Sequence, residues 1–304
     1  NYMFTMMNNE RLAVGLQGVG ISERAYQHAL AYAQERVQGR KMGGKSPEPV
    51  AIVEHSDVRR MLLDMKSQTE ATRALAYYVA AQLDIAERHQ EDDKRTKAQN
   101  RVDLLTPVVK AWGSDTSIEV ASTGIQIHGG MGFIEETGAA QFYRDARITA
   151  IYEGTNGIQA NDLVGRKIGR ESGETIKALI AEMRLDVKVS SYGNENTLAR
   201  MHEKVCESID DLEVATDWII KTWPEDPALT SSTAVPYLRL LALVCGGWLM
   251  FKANNLATHS RNSMFRNSKH ITARFFIDHR VIESRSLTKI VTEGATVVQD
   301  AQFY

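Results

Sequence analysis

The sequence predicts an all-α protein: an antiparallel helical bundle followed by an additional helical region. Two observations carry that prediction. Apolar residues recur every three to four positions over windows much longer than a strand. The connections between those windows are polar and punctuated by Gly, Pro or runs of charge. Only Val50 to Val53 reads as extended, which is too little to found a sheet. With 304 residues, 43% of them apolar, the chain can close one large core or two smaller ones.

The first helix is expected from Asn8 or Asn9, a candidate cap, to about Gln38, carrying Leu12, Leu16, Val19, Ala25, Ala29, Tyr32 and Ala33. Gly39, Gly43, Gly44, Pro47 and Pro49 mark the loop after it. Ser56 and Asp57 start a second helix that reaches about His89, with Met61, Leu62, Met65, Leu75, Val79 and Leu83 facing a core. The charged segment Gln90 to Arg101 reads as a solvated turn, and Thr106 with Pro107 as the start of a third helix ending at His128. Thr137 is a candidate cap for a short helix to about Arg147, and Thr155 for the next. The bundle occupies residues 1–168. Residues 169–304 form an additional helical domain, with helical patterns over Thr175 to Val187, Thr197 to Trp223, Val235 to His259 and Ser268 to Glu293.

Composition excludes several classes of function. A formal net charge of −2 with interspersed signs offers no field for nucleic acid and no polybasic membrane patch. Cys206 and Cys245 lie in separate helices without metal-ligand spacing, so neither a disulfide framework nor a metal site is expected, and a reducing compartment is the default. The most apolar run, Leu240 to Phe251, is shorter than the about 20 residues that span a bilayer. Arg261, Arg266, His270, Arg274, His279 and Arg280 form a modest basic cluster, read as a solvated helix face. The chain begins Asn1-Tyr2-Met3, without an initiator Met or a signal peptide, which suggests a fragment.

The stretch Ile125 to Gln159 organises the rest. Gly129, Gly130 and Gly132 follow an apparent helix end at His128 and can present bare N–H groups. A single carboxylate, Glu153, sits just before a helix N-terminus, where a Glu also complements the helix dipole by about 0.3–1 kcal/mol. Three blocks in this stretch, Gln126 to Phe133, Arg144 to Ala146, and Ile151 to Thr155, closely resemble the signature of the acyl-CoA dehydrogenases in both order and separation. The region after Gly169 resembles the extra helical domain of a bacterial subset related to 3-methylthiopropanoyl-CoA and some long-chain acyl-CoA dehydrogenases.

The resemblance implies the carboxy-terminal bundle of an FAD-dependent enzyme that oxidises an acyl-CoA to a trans-2-enoyl-CoA, with Glu153 as the base. It further implies that Arg11 lies by the substrate channel, and that Tyr152 and Gly154 flank the thioester. Arg36, paired with Glu35, would contact cofactor phosphates across a subunit interface. Gln126 and Gly130 would receive the adenine-diphosphate half of FAD from a neighbouring subunit, and Thr155 would also contact the cofactor. Four of these have a plainer role available: a helix-end cation for Arg36, a helix-end polar residue for Gln126, an N-cap for Thr155, core packing for Tyr152. Arg144 and Asp145 read as a local ion pair or helix brace. The pattern departs from the family at Val37-Gln38, where an aromatic residue is usual, and at Gly157, where a polar one is. Implied partners are an acyl-CoA, an electron-transfer flavoprotein, and further copies in a homodimer or homotetramer, in a bacterial cytoplasm. Since the family's amino-terminal and middle domains are not in this sequence, the chain alone is expected to be inactive and flavin-free. An acyl-CoA oxidase or a non-catalytic helical assembly module are the alternatives.

Overall fold

The computed structural model describes residues 2–189 and 196–302. Among these the chain is helical throughout, with no strand and one isolated antiparallel bridge, Val37 with Ala51, closing the loop after the first helix. Three long helices build the bundle: α1 (Tyr2–Glu35), α2 (Ser56–Arg88) and α3 (Asp92–His128). A helical turn, α4 (Gly130–Phe133), leads to α5 (Ala139–Thr149) and α6 (Asn156–Asp162), which continues as a π-helix over Leu163–Gly169.

After a turn with Ser172 and Gly173 at positive φ come α7 (Glu174–Val189), α8 (Asn196–Thr222), the short α9 (Pro227–Ser232) and α10 (Ala234–Ala257). Then follow α11 (Ser263–His279), α12 (Ser284–Glu293) and the short α13 (Ala295–Asp300). The expected single pattern over Ser268 to Glu293 is two helices divided by a 3-10 turn at Val281–Glu283.

The central helix is α3, which buries most of its positions between Arg101 and His128 and packs on α1, α2, α5, α6 and α10. Its start corrects the sequence reading. Gln90 to Arg101 is not a turn; only 89–91 separate α2 from α3. An acidic block, Glu91 to Asp93, is followed by Lys94 and Arg95, so polar side chains close local pairs along the helix surface, Lys94 with Glu91 at 2.8 Å, Arg95 with Asp92, and Gln99 with Asp103 at 2.9 Å, which is how an exposed polar helix turn is held. Pro107 therefore lies inside the helix rather than at its first turn, losing one N–H donor there.

Two further starts differ. α1 begins at Tyr2, because nothing between there and Asn8 breaks a helix. The cap of α5 is Gly138 at φ +75°, since the Thr137 hydroxyl donates backwards to the Met131 carbonyl at 2.6 Å.

α1 and α3 approach backbone to backbone. A Cβ on Gly18 would stand 2.2 Å from the Gly113 carbonyl oxygen, and one on Gly113 2.6 Å from the Gly15 oxygen, so only glycine permits this crossing. One apolar core then runs without interruption from Leu12, Leu75, Val108 and Val109 through Leu163 and Ile168 to Tyr237, Trp248, Phe251 and Phe276. A smaller cluster, Ala25, Ala29, Ala33, Leu62, Met65, Val120, Ala121, Ile127 and Ala146, fills the far end of the bundle. By length and composition α10 could cross a membrane, but most of it is buried against α2, α3, α6, α8, α11 and α12.

The basic cluster read as a solvated face is only partly so. Arg280 turns inward and grips Asp64 of α2 through Nε at 2.7 Å and Nη2 at 2.5 Å, tying the later helices to the bundle.

Candidate active site

Glu153 sits in the turn between α5 and α6, half-buried, with φ +55°, and Gly154 follows at φ +85°. A residue with a side chain rarely adopts this left-handed backbone, so the surroundings must hold it there. Asn156 N–H reaches back to the Ala150 carbonyl at 3.2 Å and closes the turn. The Thr155 hydroxyl caps α6, accepting from the Ile158 N–H at 3.4 Å. Among the described residues, the Glu153 N–H makes no hydrogen bond.

Beneath the turn, two side chains with 0% exposure grip its carbonyls. Gln159 Nε2 donates to the Glu153 oxygen at 3.2 Å and the Gly154 oxygen at 3.3 Å. Lys110 Nζ, from α3, donates to the Gly154 oxygen at 2.8 Å and to Asn156 Oδ1 at 3.0 Å. Asn156 in turn donates to Asp115 Oδ1 at 2.7 Å and Ser114 Oγ at 3.0 Å. Burial draws the Lys110 ammonium down to about 8 against the upward pull of Asp115 and Glu153, while Arg11 adds to the lowering. Sequence reasoning missed Lys110 and Gln159. The signal for the former was a lone Lys within Val108-Val109-Lys110-Ala111-Trp112, at a position whose helical neighbours are all core.

Tyr152 donates its hydroxyl to Gln17 Oε1 of α1, so the side chain bridges to the bundle rather than entering its core. Arg11 is nearly buried, with Nη1 3.6 Å from Asp162 and Nε without a partner. These residues share one end of the bundle with Glu153.

Arg36, Gln126 and Gly130 lie elsewhere. Arg36 is exposed at the end of α1, with Nη2 3.4 Å from Gln38, and Gln126 is exposed in the last turn of α3. These helix ends adjoin, because His128 stacks on Tyr32 at 4.4 Å between ring centroids. Gln17 and Tyr32 lie about 22 Å apart along α1 at the helical rise per residue, too far for one small group to touch both clusters.

The second cluster has the donor chemistry a phosphate-bearing cofactor requires. It combines an exposed guanidinium with a glycine turn, and open space surrounds the Cβ positions of Gly129 and Gly130. Arg144 pairs not with Asp145 but with Glu135, at 2.9 and 2.6 Å, bracing the turn before α5. A cavity of about 300 Å³ is walled by Asp115, Glu119, Asn156, Arg239 and Arg280, but not by Glu153. Partial desolvation in the cavity wall raises both Asp115 and Glu119, although each keeps contact with solvent. Among the described residues no group of His, Cys, Asp and Glu could hold a metal.

Residues 1–168 match the family model described as acyl-CoA dehydrogenase, C-terminal domain, and residues 174–302 match acetyl-CoA dehydrogenase C-terminal like. The chain is 42% identical over 296 residues to the 3-methylmercaptopropionyl-CoA dehydrogenase of Ruegeria pomeroyi, covering 96% of this chain and 50% of that protein. It thus spans about half the length of that relative. A solved acyl-CoA dehydrogenase complexed with FAD from Bacillus anthracis superposes with a TM-score of 0.76 at 20% identity, over 96% of this chain and 50% of that one. Acyl-CoA oxidase3 of Yarrowia lipolytica does so with 0.69 at 16%, over 97% and 46%, so the fold is common to both kinds of enzyme. The chain belongs to the acyl-CoA dehydrogenase family and carries its C-terminal domain.

Proposed function

We propose that this chain supplies the catalytic base and part of the cofactor and substrate contacts of an FAD-dependent acyl-CoA dehydrogenase. The observation that carries this reading is the Glu153 turn, a carboxylate on left-handed backbone whose two carbonyls are gripped from below by buried side chains. A turn held this way has its N–H groups and the carboxylate free to face a ligand. In the reaction, the Glu153 carboxylate takes the α-proton of the acyl-CoA while a C=C bond forms to the β-carbon. The flavin, when bound, accepts the β-hydride and so carries the redox chemistry.

An α-proton beside a thioester is far less acidic than a carboxylic acid, so the developing enolate oxygen needs donors. The unpaired Glu153 N–H is suited to be one. Tyr152 and Gly154 flank the thioester end, and Arg11, at the same end of the bundle, is assigned to the substrate side. Arg36, Gln126, Gly130 and Thr155 are assigned to FAD. The distance between the two clusters supports the view that Arg36, Gln126 and Gly130 serve the cofactor of a neighbouring copy. Exposed apolar side chains, Phe133 at 83% and Ile158 at 55% among them, favour burial in a homodimer or homotetramer. An electron-transfer flavoprotein is the proposed acceptor, and bacterial β-oxidation in the cytoplasm the proposed setting.

The test is an anaerobic absorbance titration of the whole FAD-loaded enzyme with a panel of acyl-CoAs that includes 3-methylthiopropanoyl-CoA. Glu153→Gln is expected to bind acyl-CoA but to lose flavin bleaching by about 10²–10⁴-fold, the usual contribution of a positioned base. Wild-type bleaching retained by the variant would move the base elsewhere. Rapid repeated turnover in air, forming one hydrogen peroxide per acyl-CoA without an added electron acceptor, would make the enzyme an oxidase.

A further inference from the structure

Lys110 stands apart from the other cations of the chain. It lies within the core of α3 with 0% exposure, and both oxygens that receive its protons are neutral. A buried ammonium is costly unless its donors are satisfied, and an apolar side chain of similar length would fill the same space without that cost. The acceptors are informative, because both belong to the Glu153 turn and the first residue of α6. Gln159, equally buried, completes the grip from α6 on the Glu153 and Gly154 carbonyls. A Cβ on Gly154 would come within 2.8 Å of Gln159 Nε2, so the turn and the clamp are fitted to each other.

We propose that Lys110, acting with Gln159, is a positioning residue for α-proton abstraction: it holds the Gly154 carbonyl and Asn156 so that the Glu153 backbone stays left-handed and its carboxylate and N–H keep their aim. This rests on the reading of Glu153 as the base. Three charged groups act on the ammonium: Asp115 from α3 and Glu153 from the turn sustain the charge, and Arg11 from α1 opposes it. With its value drawn down to about 8, Lys110 is charged at neutral pH and loses its proton just above. The grip on the turn therefore weakens on the alkaline side.

The experiment compares wild type, Lys110→Met and Lys110→Ala in the whole FAD-loaded enzyme. A misaligned base costs about 10²-fold in rate, so Lys110→Met should slow flavin bleaching by that factor. The acyl-CoA dissociation constant should change by less than about threefold, since the substrate contacts are left in place. The alkaline fall in wild-type bleaching rate near pH 8 should be missing from the variant. Independently of activity, amide hydrogen exchange across residues 150–156 should rise while the α3 core amides stay protected. n-Propylamine should partly restore bleaching in Lys110→Ala by occupying the vacated slot.

The inference is overturned if Lys110→Met bleaches at the wild-type rate. It is equally overturned if the variants lose folding, binding and rate together and the amine restores nothing, which would mark Lys110 as purely structural. A wild-type enzyme that binds acyl-CoA without bleaching would instead sink the dehydrogenase reading on which this rests, a result visible before any variant is made.

Discussion

Residues 2–168 and 174–302 share one apolar core but differ in what they bury beside it. In the first stretch helices meet at glycines and alanines, backbone close to backbone, and the buried set includes Lys110, Ser114, Ser117, His128 and Gln159. In the second the fully buried side chains include Tyr237, Trp248, Phe251 and Phe276, large groups that each remove much apolar area from water. The bundle is also where exposed apolar residues, Ile148, Ile151 and Ile158, crowd around the candidate base. The lesson is a division of labour. Polar groups placed inside the bundle shape the Glu153 turn at a cost in stability, and the later helices offset that cost by sharing their core with it.

That comparison can be broken most directly where the two stretches join. Arg280→Ala removes the guanidinium that satisfies both oxygens of Asp64 and also lies 3.9 Å from Glu119 and 3.4 Å from Glu283. Stranding a nearly buried carboxylate costs about 3 kcal/mol, so the urea midpoint should fall markedly. Arg280→Met combined with Asp64→Asn should recover most of the loss, because the uncompensated charge is gone. If the single variant unfolds at the wild-type midpoint, the junction contributes nothing and the later helices are not a brace.

A somewhat smaller effect is expected within the bundle. Gly18→Ala drives a methyl into the backbone of α3, where no flexible side chain can yield, and overpacking of this kind costs about 1–3 kcal/mol. The same addition at Gly20, which lies inside α1 with open space around it, should instead raise stability by about 0.5–1 kcal/mol in denaturant unfolding. Equal effects at the two positions would mean that the close crossing of α1 and α3 is not what holds the bundle.

The smallest effect concerns pH. His28 packs against His128 at 4.7 Å and Phe142 at 5.7 Å between ring centroids. Burial first, then His128 and Arg24, hold its imidazole below the ordinary value of 6.5. The folded state therefore prefers neutral His28. Its contribution is fully present above pH 6.5 and is lost as pH falls through the lower folded value. Urea midpoints measured at pH 7 and pH 5 should differ less in His28→Phe than in wild type; an unchanged difference would assign the acid sensitivity to other groups.

Much of the fold was legible because helices announce themselves locally. The end of α3 at His128 followed from its glycines, the start of α6 from Thr155, and the limits of α7, α8 and α10 from periodicity, each within a few residues. The errors have local causes too. The charges before Arg101 pair along a helix instead of solvating a turn, Pro107 is tolerated inside α3, and the Thr137 hydroxyl donates rather than caps.

The sequence by itself determined the helical class, the position of Glu153 between two helices, and the glycine turn at 129–132, because each is written in residues adjacent along the chain. Only the tertiary structure decided what holds that carboxylate. Lys110 and the Gly154 carbonyl are 44 residues apart, and Arg280 and Asp64 are 216 apart. Such pairs leave no periodic trace in the sequence; they exist because a polar group shut away from water must be satisfied by whatever the packing brings within reach.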